Sequence, residues 1–462
     1  MRIPALQYRT NPKHQDPFGY ISGLAFQSIS SSGGPDFAGD LATASAVRLQ
    51  SCAHPPELAR IHALVLRRGL LILSFHWNSL MRSYLRLSIP GAALRLFVQM
   101  TRSGVSPDHY SLPIALKAAF TSFAFSVGRQ LHSVATKNGL AHDEFTESGI
   151  LSAYAKFGEF APARQLFDES PNPKLGSWNA LISSYAQAGH CREAVDLFVD
   201  LRRSGEIPDD MTMVSVASAG GSLGDIVLAA QIHRCAIQAS GTNAGRLDLM
   251  ISNSLIDMYA KCGRTDIAFK IFDRMLERDV SSWTSMIMAL TMQGNPWPAL
   301  ELFRKMAGDG VAPNHVTMVA VLSACSHAGL VEEGMMHFQS IVQGKMSGVE
   351  AVPAHYGCVA DMLGKVGRVG EAADIVERMP WPANAVVWGA LLGACEKHGE
   401  VRIGERAAEK LLELEPWNDG VYVVLSNIYA GAAMWAEVER VRGLMRHMNV
   451  GKIPGFSLGV NF

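Results

Sequence analysis

Apolar residues along this chain come in short amphipathic runs separated by glycine and proline. Between residues 175 and 209, Leu181, Ile182 and Tyr185 fall at helical spacing until Gly189 interrupts them. Ala194, Val195, Leu197, Phe198 and Leu201 then form a second helical stripe, which Gly205 and Pro208 bring to a stop. The pattern predicts two short helices joined by a tight turn. Neither helix can bury its apolar face alone, so each hairpin needs neighbours on both sides.

Those neighbours are the same pattern repeated. Trp77, Trp178, Trp283 and Trp388 are spaced by 101, 105 and 105 residues, and each opens a similar run, such as WNSLMRSYL and WNALISSYA. Gln130-Leu131-His132 returns as Gln231-Ile232-His233, Tyr154-Ala155-Lys156 as Tyr259-Ala260-Lys261, and Phe167-Asp168 as Phe272-Asp273. The long period divides into three units: 74–108, 109–143 and 144–174, then 175–209, 210–248 and 249–279, then 280–314, 315–352 and 353–384. The middle unit of the second triplet carries an insertion near residues 241–246. The expected fold is therefore all-α: a right-handed superhelical α-solenoid of stacked helix-turn-helix repeats with a concave inner surface.

Composition narrows the picture further. At 462 residues the chain exceeds what one core supports, which agrees with a repeat array. Lys+Arg 41 against Asp+Glu 42 leaves a net charge of −1, which argues against a non-specific polyphosphate binder. A long uncharged run, Val280 to Leu300, contains Gly294, Pro296 and Pro298, so no membrane insertion is expected. Seven dispersed cysteines without a Cys-x-x-Cys pair fit a reducing compartment better than a disulfide framework. Residues 1–35 hold Arg2, Arg9 and Lys13 against one acid, Asp16, plus a serine cluster and no apolar signal core. That composition reads as an organellar transit peptide or as an ordinary frayed N-terminus.

The alternating unit lengths, with endings such as Gly104…Pro107-Asp108, Gly205…Pro208-Asp209 and Gly310…Pro313-Asn314, resemble plant pentatricopeptide repeat proteins of the PLS class, E subgroup. Tetratricopeptide arrays also stack 34-residue hairpins, but this ending is not theirs. Beyond the nine repeats of 74–384, residues 385–418 and 419–452 resemble that family's two E motifs, called E1 and E2. Residues 36–73 read as a linker and degenerate repeat in which Ile61-His62-Ala63 echoes the Gln-x-His landmark, and 453–462 as a divergent tail.

The resemblance implies one RNA base per repeat, read by the fifth residue of a unit together with its last. Carried over, the pairs are Asn78 with Asp108, Asn179 with Asp209, Asn253 with Asp279, and Thr284 with Asn314. Asn with Asp then favours U and Thr with Asn favours A. Ser148 with Lys174 has an unusual last residue, Asn384 stands opposite Gly357, and Pro113 and Val214 occupy the fifth place of longer units. Second residues Phe75, Tyr110, Phe145, Met211, Met250 and Val316 are expected to wedge between bases. The competing reading makes each of these polar residues a helix cap and nothing more.

Two apparent catalytic motifs fail on context. Gly220-Gly221-Ser222-Leu223-Gly224 has a nucleophile-elbow spacing but no preceding strand, and is expected at an inter-helix turn. His142-Asp143-Glu144 and His398-Gly399-Glu400 match half a zinc deaminase site without its cysteine pair. Pro454-Gly455-Phe456-Ser457 starts like the segment that leads to a deaminase in relatives, then departs at Leu458, Gly459 and Val460. No catalytic residue, metal or other cofactor is expected. The resemblance implies a sequence-specific single-stranded RNA binder, a specificity factor for organellar C-to-U editing that recruits a deaminase-bearing pentatricopeptide partner and other editing factors in trans. Mitochondrion is the expected compartment, with chloroplast the alternative. An RNA stability or splicing factor, and a helical scaffold for protein partners, are the rival functions.

Overall fold

The computed structural model describes residues 52, 54–67, 69, 71, 73–239 and 247–447. The expected transit peptide, the insertion at 241–246, the last residues of the second E motif and the divergent tail lie outside them. The described residues form 23 helices and no strand. By contact density the chain divides between Ala124 and Phe125 into two compact units.

In the N-terminal unit, helices Pro55–Arg67, Ser74–Arg86, Pro90–Arg102 and Ser111–Thr121 pack in sequence. Trp77, Leu80, Met81 and Tyr84 are buried on one helix and Ala93, Leu96, Phe97 and Met100 on the next. The spacing of both sets is the one a helix needs to present a single apolar stripe.

The C-terminal unit opens with Phe125–Lys137 and continues as hairpins. Its first helices are Glu144–Lys156, Leu175–Gln187, Asp210–Leu223, Leu249–Lys261, Val280–Met292, His315–Ala328, Pro353–Lys365, Ala385–His398 and Asp419–Gly431. From Glu144–Lys156 onward, each packs on the first helix of the following hairpin, so together they form one continuous layer. The second helices, such as Cys191–Arg203 and Pro296–Gly308, each pack on their own first helix and on the next one. Leu181, Ile182, Ile256 and Ile287 are fully enclosed in this layer. Each such side chain contributes about 1.5–3 kcal/mol of burial free energy.

The recurring landmarks meet one another at the seams between hairpins. Trp178 stands edge-to-face on Phe167 of the preceding second helix, with ring centroids 4.6 Å apart, and Trp283 on Phe272 at 5.1 Å. His132 Nδ1 and Tyr154 Oη share a hydrogen bond of 2.8 Å, and His233 and Tyr259 one of 3.1 Å. The N-terminal unit holds the same device in its degenerate repeat, where His62 and Tyr84 lie 2.9 Å apart.

One expectation needs correcting. Gly220 through Leu223 are not turn residues: they form the last turn of helix Asp210–Leu223, and only Gly224, at φ 68°, leaves it. The glycine pair is there for packing. A Cβ on Gly220 would stand 2.6 Å from Ile232 Cδ1, and one on Gly221 3.0 Å from the Met258 backbone. Ser222 donates its hydroxyl to the Ser218 carbonyl one turn back, an ordinary helix contact.

Candidate functional site

From Asp143 onward the last residue of a unit immediately precedes the next first helix and has extended backbone, the usual setting for an N-cap, whereas Asp108 stands three places ahead of helix Ser111–Thr121. Asp209 accepts from the Thr212 N–H at 2.8 Å, Asp279 from Ser282 N–H at 2.8 Å and Asn314 from Thr317 N–H at 2.9 Å. In the N-terminal unit Asp108 accepts from the Ser111 N–H at 2.7 Å. Capping is therefore real, and it accounts for half of what these side chains do.

The other half is the contact back to the fifth residue of the same unit. Asn179 Nδ2 donates to both carboxylate oxygens of Asp209 at 3.0 Å, and Asn253 Nδ2 to Asp279 Oδ1 at 3.3 Å. Asn78 Nδ2 donates to Asp108 at 3.1 and 3.2 Å. A carboxylate has no proton to give, so each amide must turn its NH₂ group to the acid. Burial raises the Asp108 pKa, but hydrogen bonds from Ser74, Ser111 and Asn78 outweigh it and hold the carboxyl well below its ordinary range. Asp279 is likewise lowered: burial opposes the shift, and the Ser282 and Asn253 hydrogen bonds overcome it. Both acids stay ionised at neutral pH, which fixes the direction of their amides.

Three expected pairs look different. Thr284 makes no hydrogen bond to Asn314; its hydroxyl meets that of Thr317 at 2.7 Å, and Thr317 in turn bonds Asn314 at 3.0 Å. Ser148 turns its hydroxyl to the Phe145 carbonyl at 3.1 Å, while Lys174 sits exposed ahead of helix Leu175–Gln187, and no hydrogen bond joins the two. Asn384 caps Val387 N–H at 3.1 Å opposite Gly357, which has no side chain to meet it.

Exposed apolar side chains recur at the second place of a unit, and Phe75 and Met250 stand beside the pairs of Asn78 and Asn253. Phe75, Tyr110, Phe145, Met211, Met250 and Val316 are all 42–57% exposed, although each belongs to, or directly precedes, a helix with a buried apolar face. Each precedes a fifth residue by three positions, so the two share a helix face. Around Met250, Asn253 and Asp279 this face opens into a cleft of 520 Å³, also lined by Val214, Ser218 and Ser281. An exposed apolar side chain beside a polar pair suits a flat ring that is stacked on its face and hydrogen-bonded on its edge.

The motifs set aside on sequence grounds have ordinary partners. His142 Nδ1 lies 3.1 Å from Glu147, a carboxylate only 2% exposed, and Asp143 caps helix Glu144–Lys156. His398 is the last residue of its helix. Among the described residues no group of three or more His, Cys, Asp or Glu is placed to hold a metal ion. Burial pushes the thiols of Cys325 and Cys395 up to about 12, which leaves them unreactive. Sequence reasoning missed the third residues Thr212 and Thr317. The signal was present as a hydroxyl three places after Asp209 and after Asn314, the spacing of a capping box.

A family model described as the PPR repeat matches residues 75–105, 176–206, 251–280 and 281–311, and one described as the E motif matches 398–458. A mitochondrial pentatricopeptide repeat-containing protein of Arabidopsis thaliana is 49% identical over 415 residues, covering 89% of this chain and 88% of the relative. A second mitochondrial relative from that plant is 37% identical over 381 residues and the chloroplastic CRR2 36% over 385; this chain spans 59% and 58% of their lengths. Among solved structures, the maize pentatricopeptide repeat protein PPR10 matches with a TM-score of 0.55 at 18% identity, over 90% of this chain and 64% of that one. PPR10 in complex with an 18-nucleotide psaJ RNA element matches with a TM-score of 0.56. The repeat pattern, the hairpin stack and a relative this similar along nearly its whole length lead to one conclusion: the chain belongs to the pentatricopeptide repeat family and carries an E motif.

Proposed function

We propose that this chain binds single-stranded RNA in a sequence-selective way, along the layer of first helices, and serves as a specificity factor for organellar C-to-U editing. The observation that carries the reading is the recurrent amide hydrogen-bonded to the last residue of its unit at Asn78, Asn179 and Asn253, with an exposed apolar side chain three places before Asn78 and before Asn253. An ionised acid and an oriented amide present acceptor and donor together, which is what the edge of a uracil requires, while the apolar neighbour holds its face. The psaJ RNA bound by PPR10, a protein of the same fold, supports this use of the scaffold. The E motif at 398–458 supports the editing role, with the deaminase supplied by a partner protein. Relatives named for the mitochondrion and for the chloroplast support an organellar site of action, and the 49% identical one favours the mitochondrion.

The test is selection of bound RNA from a randomised single-stranded pool, followed by sequencing. Enrichment of one register with U at the positions facing Asn179 and Asn253 is expected. A pool that emerges unchanged would refute RNA selectivity. Transcript sequencing in plants lacking the protein tests the second part: loss of editing at a site that follows the selected motif is expected, and intact editing with altered transcript ends or splicing would contradict it.

A further inference from the structure

The fifth and last residues of a unit are not alone. A third side chain, the hydroxyl-bearing third residue of the next unit, reaches the same pair, and it does so in two distinct ways. Thr212 Oγ1 lies 2.5 Å from Asn179 Oδ1 and 2.8 Å from Asp209 Oδ1. Thr317 Oγ1 repeats this, 2.7 Å from Thr284 Oγ1 and 3.0 Å from Asn314 Oδ1. Where the third residue is serine, the contact to the fifth residue is missing. Ser111 Oγ donates to Asp108 Oδ1 at 2.7 Å and Ser282 Oγ to Asp279 Oδ1 at 2.9 Å. In those two units the oxygens left over, Asn78 Oδ1 and Asn253 Oδ1, are buried with no hydrogen-bond partner in the chain.

All four third residues are buried; Thr212, Ser282 and Thr317 are each the third residue of their helix and Ser111 the first of its own, so among the first three the difference lies in the side chain. Threonine is β-branched, and its methyl group restricts χ1. The hydroxyl is thereby held between the two reading residues. Serine lacks the methyl and turns fully to the cap. A threonine-backed asparagine is gripped at both ends of its amide, NH₂ by the acid and carbonyl by the hydroxyl. A serine-backed asparagine is gripped at the NH₂ end only and can tilt about that bond. An edge contact discriminates between bases only as well as its donor and acceptor are positioned.

We infer that, behind Asn78, Asn179, Asn253 and Thr284, the third residue of the following unit is a specificity-determining positioning residue, with threonine locking the preceding reading side chain and serine leaving it loose. Thr212 therefore sharpens the preference set by Asn179 and Asp209, and Ser282 leaves that of Asn253 and Asp279 broader. This rests on the RNA-reading function proposed above and adds a residue to it that touches no base.

The experiment uses the full chain and the randomised single-stranded RNA pool, comparing the native protein with Thr212→Ser and Ser282→Thr. Thr212→Ser keeps a hydroxyl for the cap and removes one methyl, so the fold is retained, and thermal unfolding by circular dichroism checks this. At the one position facing Asn179, the U-to-C ratio should fall by about tenfold, the scale of one well-formed edge contact, with the other positions unchanged. Ser282→Thr should raise the ratio at the position facing Asn253. An unchanged U-to-C ratio in Thr212→Ser, alongside clear enrichment by the native chain, would overturn the inference and leave RNA reading intact. No enrichment by the native chain would remove the RNA-reading function itself, and the inference with it.

Discussion

Asn314 must do two things: its Oδ1 accepts from Thr317 N–H to start helix His315–Ala328, and the same oxygen anchors the hydroxyl that holds Thr284. Aspartate has the same shape and caps a helix as well as asparagine does. What it lacks is the amide's NH₂ donor. Asn314→Asp should consequently leave the thermal midpoint within a few degrees of the native value, since caps of equal quality differ by only about a few tenths of a kcal/mol. In RNA selection, the preference at the position facing Thr284 should move from A towards G, by an amount on the order of 1–3 kcal/mol. Equal enrichment of A and G would separate Asn314 from base choice and leave it a cap alone. The contrast with Lys174 is instructive. It occupies the corresponding place before helix Leu175–Gln187, is exposed, and makes no cap hydrogen bond, so that unit has lost both functions together.

At the scale of helices, the seams are held by paired landmarks whose chemistry depends on pH. Burial lowers the pKa of His62 to about 4, and lowers those of His132 and His233 in the same direction. The facing Tyr84 is pushed up to about 12 by burial. These imidazoles are therefore neutral in the folded chain, while the unfolded chain binds protons below about pH 6.5. Stability is thus greatest above that value and is lost as pH falls towards 4, with His62 alone accounting for roughly 2–3 kcal/mol. Urea unfolding at pH 7 and pH 5 should show this loss, and His62→Phe should make it shallower even though the substitution costs a hydrogen bond of about 1 kcal/mol. An equally steep pH dependence in the variant would assign the effect to other groups. Trp178→Ala, which empties the space against Phe167, should cost about 3–5 kcal/mol at any pH in this range. These seams were largely legible in the sequence, because Trp178 and Trp283 met Phe167 and Phe272, and the His of each Gln-x-His met the Tyr of the following Tyr-Ala-Lys. The capping role of Asp209 was legible as well. The bridging threonines were not, because the contact from Thr212 to Asn179 spans 33 residues and depends on how two helix starts approach each other. Gly220 and Gly221 were misplaced for a similar reason: a glycine needed for close packing looks, in sequence, like a glycine needed for a turn.

For the molecule as a whole, charge decides how RNA can be held. Lys+Arg 41 and Asp+Glu 42 nearly cancel, and the proposed reading positions add carboxylates at Asp108, Asp209 and Asp279. Several cations near the first helices are already engaged, Lys261 with Asp257 at 2.7 Å and Lys365 with Asp361 at 2.7 Å. Such exposed pairs are weak, about 0–1 kcal/mol each, but each lowers the positive field that a phosphate nearby would meet. Affinity must then come chiefly from base edges and from stacking on the exposed apolar residues, terms that salt barely screens. A single-stranded ligand releases counterions with a slope of about −0.7 for each phosphate neutralised, so a chain that clamps six or more phosphates would show a slope steeper than about −4. Here the plot of log affinity against log salt, measured by filter binding with a selected RNA between about 50 and 200 mM salt, should have a slope near −2 or shallower. Replacing Met211 and Met250 by alanine should lower affinity in proportion at every salt concentration, because stacking of about 1–3 kcal/mol per base is lost and no charge is changed. A steep slope that these substitutions leave untouched would show instead that the phosphates, and not the bases, hold the RNA.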